Sequence, residues 1–203
     1  MSNPERPIKV AIVVGSVRPG NFTSKTVAIV ADELRKHPEV DVDIIHPVEL
    51  NLPLPGLDPG AAGARELQRR VGEAAAVILA TPEYHGSFSS VIKLAIENMG
   101  FPSALAGKPV GLLGVAAGAI GAIKSLESLR GVVSHVGGLP LPMPVSIANV
   151  QKLFDAEGKV VDPYAEALMR RAATNLLDYV EKHICPRFTL ERLTREGMIS
   201  VTQ

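Results

Sequence analysis

Two polar stretches, GSVRPGNFTS at residues 15–24 and TPEYHGSFSS at 81–90, hold most of the residues able to do chemistry in this sequence. The first places the hydroxyls of Ser16, Thr23 and Ser24 and the guanidinium of Arg18 just ahead of a helical pattern. Free backbone N–H groups at a helix start, the positive end of its dipole and a charge-assisted donor together favour an anion. Gly15 and Gly20 have the spacing of a Walker loop, but Asn21 and Phe22 stand where Lys and Ser or Thr are required. That argues against a nucleoside triphosphatase, and the G-x-G-x-x-G fingerprint of dinucleotide folds is missing too. A plainer reading of these residues is a tight strand-to-helix turn with a hydroxyl cap. In the second stretch, Pro82, Tyr84 and Gly86 suit a flat polar ligand, with side chains shaping a wall and backbone amides running along its edge. Gly86 is expected where a side chain would collide with ligand or loop. The plainer reading there is a helix-entry loop with Ser87 or Ser89 as N-cap.

Nothing else in the chain competes. His37 and His46 flank an alternating segment and His135 and His183 fall at helix ends, with no pair at metal-ligand spacing and no acidic cluster, so no metal site is expected. Ser16 and Ser87 lack a G-x-S-x-G context, which disfavours nucleophilic hydrolysis. His85 reads as a loop histidine that shapes the pocket, ahead of any acid/base role. The single Cys185, before Pro186, reads as a small buried or interface residue. No catalytic side chain is expected.

The elements that position these stretches follow from the apolar pattern. Residues 8–14 form a nearly unbroken β-branched run, as in a parallel strand covered on both faces. Val27, Val30, Ala31 and Leu34 recur at helical spacing as far as about His37, and VDVDIIHP then alternates like a half-buried strand. The Pro- and Gly-rich segment 47–63 reads as a long loop before a short helix over 64–73. AVILA at 76–80 is the third strand, followed by Phe88, Val91, Ile92, Ala95 and Met99 on one helical stripe. PVGLLGV at 109–115 is the fourth; Ile123, Leu126, Val133 and Val136 mark its helix, and 139–144 form a short proline-rich edge strand. A last helix runs from Pro163 to His183. This alternation predicts an α/β fold, a doubly wound five-stranded parallel sheet in the order 2-1-3-4-5 with helices on both faces. Ligands of such sheets bind at the C-terminal strand ends between strands 1 and 3, which selects the same two polar stretches.

Composition agrees with one domain that folds alone: 203 residues, 46% hydrophobic and 21% charged. With 21 basic and 21 acidic residues, the chain has no net charge with which to attract nucleic acid or an anionic membrane. The single cysteine suits a reducing compartment. The polar start, MSNPERPIK, and the lack of a long apolar run predict a cytoplasmic protein.

With GVAAGAIGAIKSLESLR after the fourth strand added to the two polar stretches, the sequence over about residues 8–183 resembles the NADPH-dependent FMN reductases of flavodoxin-like fold, quinone and chromate reductases among them. The resemblance implies that Ser16, Arg18, Asn21, Phe22 and Thr23 hold the FMN phosphate and ribityl chain. Pro82, Glu83, Tyr84, His85, Gly86 and Ser87 would line the isoalloxazine, and Ala117, Gly118 and Gly121 would approach its other edge. Two residues depart from the usual pattern: Ala116 where related chains often carry Ser, and His85 where Asn is commonest. The implied activity passes a hydride from NADPH or NADH to FMN and then to a quinone, azo, metal-oxyanion or free flavin acceptor. A flavodoxin-type electron carrier and a non-catalytic flavin-binding regulator are the competing readings. The first lacks its T-x-T-G-N-T run and its typical acidity here. Relatives assemble as dimers or tetramers. The extension at 184–203, with Phe188, Leu190, Leu193, Met198, Ile199 and Val201 among charges, reads as an arm that packs on a neighbouring subunit in a homodimer or homotetramer, with packing on its own subunit as the alternative.

Overall fold

The computed structural model describes residues 7–58 and 60–195. The elements in chain order are β1 (Ile8–Val14), α1 (Phe22–Leu34), β2 (Val40–Ile45), α2 (Ala62–Glu73), β3 (Ala76–Tyr84), β4 (Ser87–Phe88), α3 (Ser90–Glu97), β5 (Pro109–Val115), α4 (Ile123–His135), β6 (Leu139–Pro140), β7 (Val145–Ile147), α5 (Pro163–Tyr179) and α6 (Cys185–Arg195). The sheet runs β2-β1-β3-β5-β6. This is the expected order, since the fourth predicted strand is β5 and the fifth begins at β6.

The sheet has seven strands rather than five, for two local reasons. β3 runs past Ala80 to Tyr84 and pairs antiparallel with β4, with Tyr84 opposite Ser87. His85 and Gly86 both have positive φ, 52° and 73°, as a two-residue hairpin turn requires. Of the predicted edge strand over 139–144 only Leu139–Pro140 pairs, as β6 on Pro109 and Val110, and a second short strand, β7, follows the predicted segment and pairs with Leu113 to Val115. Pro142 and Pro144 cannot donate to the ladder and Met143 has φ 55°, so pairing lapses between them.

Side chains of β1 alternate between two cores, as the pleat dictates. Val10, Ile12 and Val14 pack with Val27, Leu34, Met169 and Leu176 under α1 and α5. Ala11 and Val13 pack with Leu67, Ile92, Leu126 and Leu129 under α2, α3 and α4. Arg170 clasps α1 to α5, its guanidinium donating to Asp32 (2.7 Å), Glu33 (2.9 Å) and Glu166 (2.7 Å). At the N-terminal end of β5, the Lys108 ammonium donates to the carbonyls of Gly72 (2.9 Å) and Ala74 (2.6 Å), closing the C-terminus of α2. Burial there pushes its pKa down.

Arg70 on α2 forks onto Asp43 of β2, with Nε donating to Oδ2 at 3.0 Å and Nη2 reaching Oδ1 and the Ile44 carbonyl. Both side chains are less than one-fifth exposed, 18% and 17%. The Arg70 hydrogen bonds hold the Asp43 pKa below its ordinary value of 3.8, against burial. A carboxylate with a depressed folded pKa contributes stability above its unfolded value and loses it as pH falls through the folded one. Asp43→Asn should therefore cost about 1.5–3 kcal/mol at neutral pH. Urea denaturation should show a smaller wild-type-to-variant difference at about pH 3 than at pH 7.

The last helix ends earlier than predicted: α5 passes at Val180 into a π-helical turn (Val180–Ile184), then into α6. Tyr179 and His183 bring their rings to 4.8 Å across the turn, and Ile184 packs against the core under α1. The predicted boundary at 183 thus falls inside a continuous helical run. Cys185 is exposed in this chain, and Leu190 is 53% exposed. Met198, Ile199 and Val201 of the expected arm, and the side chain of Phe188, lie outside the described residues. No described helix is long and apolar enough to cross a membrane.

Candidate functional site

The C-terminal ends of β1, β3 and β5 open into one pocket of about 630 Å³. Its first wall begins at Gly15, whose N–H donates to the Ala80 carbonyl at 2.7 Å, extending the β1–β3 ladder by one bond. Asn21 caps α1: its carboxamide oxygen accepts the Ser24 N–H at 2.7 Å while its Nδ2 donates to the Arg18 carbonyl at 2.7 Å. A carboxamide, not one of the loop's hydroxyls, thus closes the helix start, and Asn21 shapes the loop with both of its polar atoms. The N–H groups of Phe22 and Thr23 in the first turn have no acceptor within the helix by geometry. Ser16 is 5% exposed, and its hydroxyl has no hydrogen-bond partner. Arg18 is exposed, lies 4.6 Å over the Tyr84 ring and pairs with no described carboxylate.

Ser89 locks the second wall to the first. Its hydroxyl donates to the Gly15 carbonyl at 2.6 Å and accepts the Ile92 N–H at 3.2 Å, which makes Ser89 the N-cap of α3. Its own N–H donates to Thr81 Oγ1 at 3.0 Å. Glu83, half-buried at the end of β3, accepts the Ser125 N–H of α4 on Oε2 at 3.1 Å. The exposed turn His85–Gly86 lies outside the pocket lining. A Cβ on Gly86 would meet only Lys124 Cδ, at an ordinary 3.6 Å. Within this chain the left-handed φ, not lack of room, calls for glycine. Gly86→Val should therefore lose about 1–2 kcal/mol in urea denaturation, and Gly86→Asn much less. His85 too has a left-handed φ, a region that His and Asn tolerate better than most residues.

The third wall, residues 116–121, is held by the segment after β7. The Ala116 N–H donates to the Ile147 carbonyl (2.9 Å) and its carbonyl accepts the Val150 N–H (3.0 Å). The Asn149 N–H reaches the Gly118 carbonyl (3.1 Å), and Gln151 Nε2 reaches that of Ala117 (3.0 Å). Gly121 has φ 79°, and a Cβ there would sit 2.4 Å from Ser146 Oγ, the acceptor of the Ala122 N–H at 2.9 Å.

The pocket thus brings together nine residues singled out from the sequence: Ser16, Arg18, Asn21, Phe22 and Thr23, Pro82, Glu83 and Tyr84, and Ala117. His85, Gly86, Ser87, Gly118 and Gly121 do not line it within one chain. Sequence reasoning missed Val150 and Gln151, which come from a short 3-10 turn (Val150–Lys152) that carries no motif. Among the described residues, no group of three or more His, Cys, Asp or Glu could hold a metal ion.

The sequence profile described as NADPH-dependent FMN reductase matches residues 8–152, most of the chain and all three walls. The chain belongs to that family. Membership makes it an oxidoreductase that draws electrons from NAD(P)H through FMN. A NAD(P)H-dependent FMN reductase of Pseudomonas aeruginosa is 29% identical over 182 residues, covering 86% of this chain and 96% of its own. A 2-hydroxy-1,4-benzoquinone reductase of a Burkholderia species is 30% identical over 162 residues, covering 76% and 86%. Among solved structures, the flavoenzyme NAD(P)H:(acceptor) oxidoreductase FerB of Paracoccus denitrificans superposes with a TM-score of 0.73 at 27% identity, covering 86% of this chain and 98% of that one. The residues present fit the family's cofactor. Among the described residues, a buried hydroxyl without a partner and a guanidinium paired with no carboxylate sit where first-turn amides have no helical acceptor, which suits a terminal phosphate.

Proposed function

We propose that this protein is an FMN-dependent NAD(P)H oxidoreductase that reduces quinones, with FMN held between the three loop walls. The observation that carries this reading is the partnerless Ser16 hydroxyl beside the unpaired Arg18 at the start of α1. Ser16, the amides of Phe22 and Thr23, and Arg18 would bind the phosphate. Pro82 and Tyr84 would contact one part of the ring, and the neighbouring Ala116 and Ala117 another, where short side chains let backbone come close. When bound, FMN supplies the hydride-accepting and electron-passing chemistry, so no catalytic acid, base or nucleophile is required of the chain. The chain's work is to bind, orient and exclude: Asn21 and Ser89 fix the loops, while the open pocket admits the nicotinamide donor and then the acceptor in turn. The purified protein should show a flavin spectrum that bleaches on anaerobic NADPH and returns on adding benzoquinone. An azo dye and ferric or chromate salts tested in the same way define the acceptor range. Bleaching without turnover of any acceptor would favour the electron-carrier or regulatory reading.

The single cysteine is compatible with a reducing, cytoplasmic setting. A homo-oligomer is supported by exposed apolar side chains, Leu54, Leu57 and Phe101, flanking the tie from Asn98 Nδ2 to the Pro53 carbonyl (3.0 Å). The helical run beyond α5 would contribute an arm to it. Truncation after His183 should then lower the mass in light scattering at low micromolar protein while leaving the flavin spectrum intact. An unchanged mass would remove the arm from the assembly.

A further inference from the structure

Helix α4 begins without a cap of its own. Its N-cap residue is Ala122, which has no side-chain acceptor, with φ −101° and ψ 31°. The first-turn amide that an N-cap side chain ordinarily satisfies, Ser125 N–H, donates instead to Glu83 Oε2 at 3.1 Å, from 42 residues away. The Ser125 hydroxyl is itself taken up by the Ala122 carbonyl at 2.8 Å. Glu83 stands at the end of β3, one residue past the Pro82–Val115 pair of the β3–β5 ladder, and the neighbouring 116–121 loop runs from β5 directly into α4.

We propose that Glu83 is a positioning residue whose carboxylate serves as the missing N-cap of α4 and thereby fixes how the loops after β3 and β5 sit against each other where they meet the flavin ring. This rests on the reading of the pocket as the FMN site. A carboxylate suits the task because it meets both the free amide and the positive end of the helix dipole. Its reach matters more than its charge: the bond spans from a strand end to the first turn of a helix in another layer.

Three variants separate reach from charge. Glu83→Gln keeps the length and an acceptor oxygen, Glu83→Asp keeps the charge and loses a methylene, and Glu83→Ala loses both. Each is stripped of flavin and titrated with FMN, following flavin fluorescence. Amide exchange at Ser125 is read in the same apo proteins, and thermal unfolding shows that each is folded. Asp and Ala should bind FMN about tenfold more weakly than wild type and exchange Ser125 about tenfold faster. Gln should lie within about threefold of wild type in both. The reverse pattern, with Asp like wild type and Gln like Ala, would overturn the proposal in favour of a charge that acts on the flavin directly. So would unchanged Ser125 exchange in Ala, or, should Ala fail to fold, equal behaviour of Asp and Gln. If wild type itself bound no FMN, the site reading would fall separately, and Ser125 exchange would still decide the cap.

Discussion

Gly15→Ala is expected to lower stability by about 3 kcal/mol, the upper end of what one excess methyl costs in a packed interior, and to reduce FMN affinity more than tenfold. A Cβ at residue 15 would stand 2.4 Å from Ile92 Cγ1 and 2.6 Å from the Ala80 carbonyl oxygen. Neither can yield freely. Ile92 is fully buried, and the Ala80 oxygen already accepts the Gly15 N–H. The Gly15 carbonyl in turn accepts from Ser89, so a displaced Gly15 disturbs the cap of α3 and the joint between the first two walls together. The effect on FMN binding should therefore exceed what lost stability alone explains. Urea denaturation at unchanged m-value and FMN titration check the two halves of this expectation, and wild-type values in both would mean the strands are not so close.

Arg18→Ala is expected to weaken FMN binding about tenfold, the low end of a charge-assisted hydrogen bond, because the guanidinium is exposed and screened by water and salt. Arg18 lies over Tyr84 and has no described carboxylate to neutralise it, so it is free to turn to a phosphate. Riboflavin, which lacks the phosphate, should bind wild type and variant alike, and the gap between them for FMN should narrow as salt rises. Arg18→Lys should recover part of the loss, since it keeps the charge without the planar fork. Equal FMN affinity of wild type and Arg18→Ala would remove Arg18 from the phosphate site.

How far the sequence reaches can be judged at single residues. β1, β3 and β5 are legible because they are buried on both faces and read as unbroken apolar runs. Alternating strands and helices leave one sensible winding of the sheet, and the winding places the ligand at the loops after β1 and β3. Within the first of those loops the parts of the proposed phosphate cradle are legible, because helix-start amides, hydroxyls and Arg18 lie within a few residues of one another. Ser16, Arg18, Thr23, Pro82 and Tyr84 accordingly reach the pocket. Less local features were not readable. That β3 continues to Tyr84 depends on a hairpin whose second strand has only two residues. That pairing stops after Pro140 and resumes only at Val145 depends on where along β5 each short segment can find a partner.

Three decisions belong to the tertiary structure alone. Asn21, not a hydroxyl, caps α1, which leaves Ser16 with an unspent donor. Glu83 turns to Ser125. Val150 and Gln151, each 34 residues from the loop residue to which it donates, close the pocket's third side. Hydrophobic periodicity reports how a residue sits relative to its near neighbours along the chain. Hydrogen-bond partners 34 or 42 residues apart are instead chosen by strand register and by the angle at which helices settle on the sheet. Those are properties of the packed whole, because a polar group deprived of water must take whichever partner the packing brings within reach.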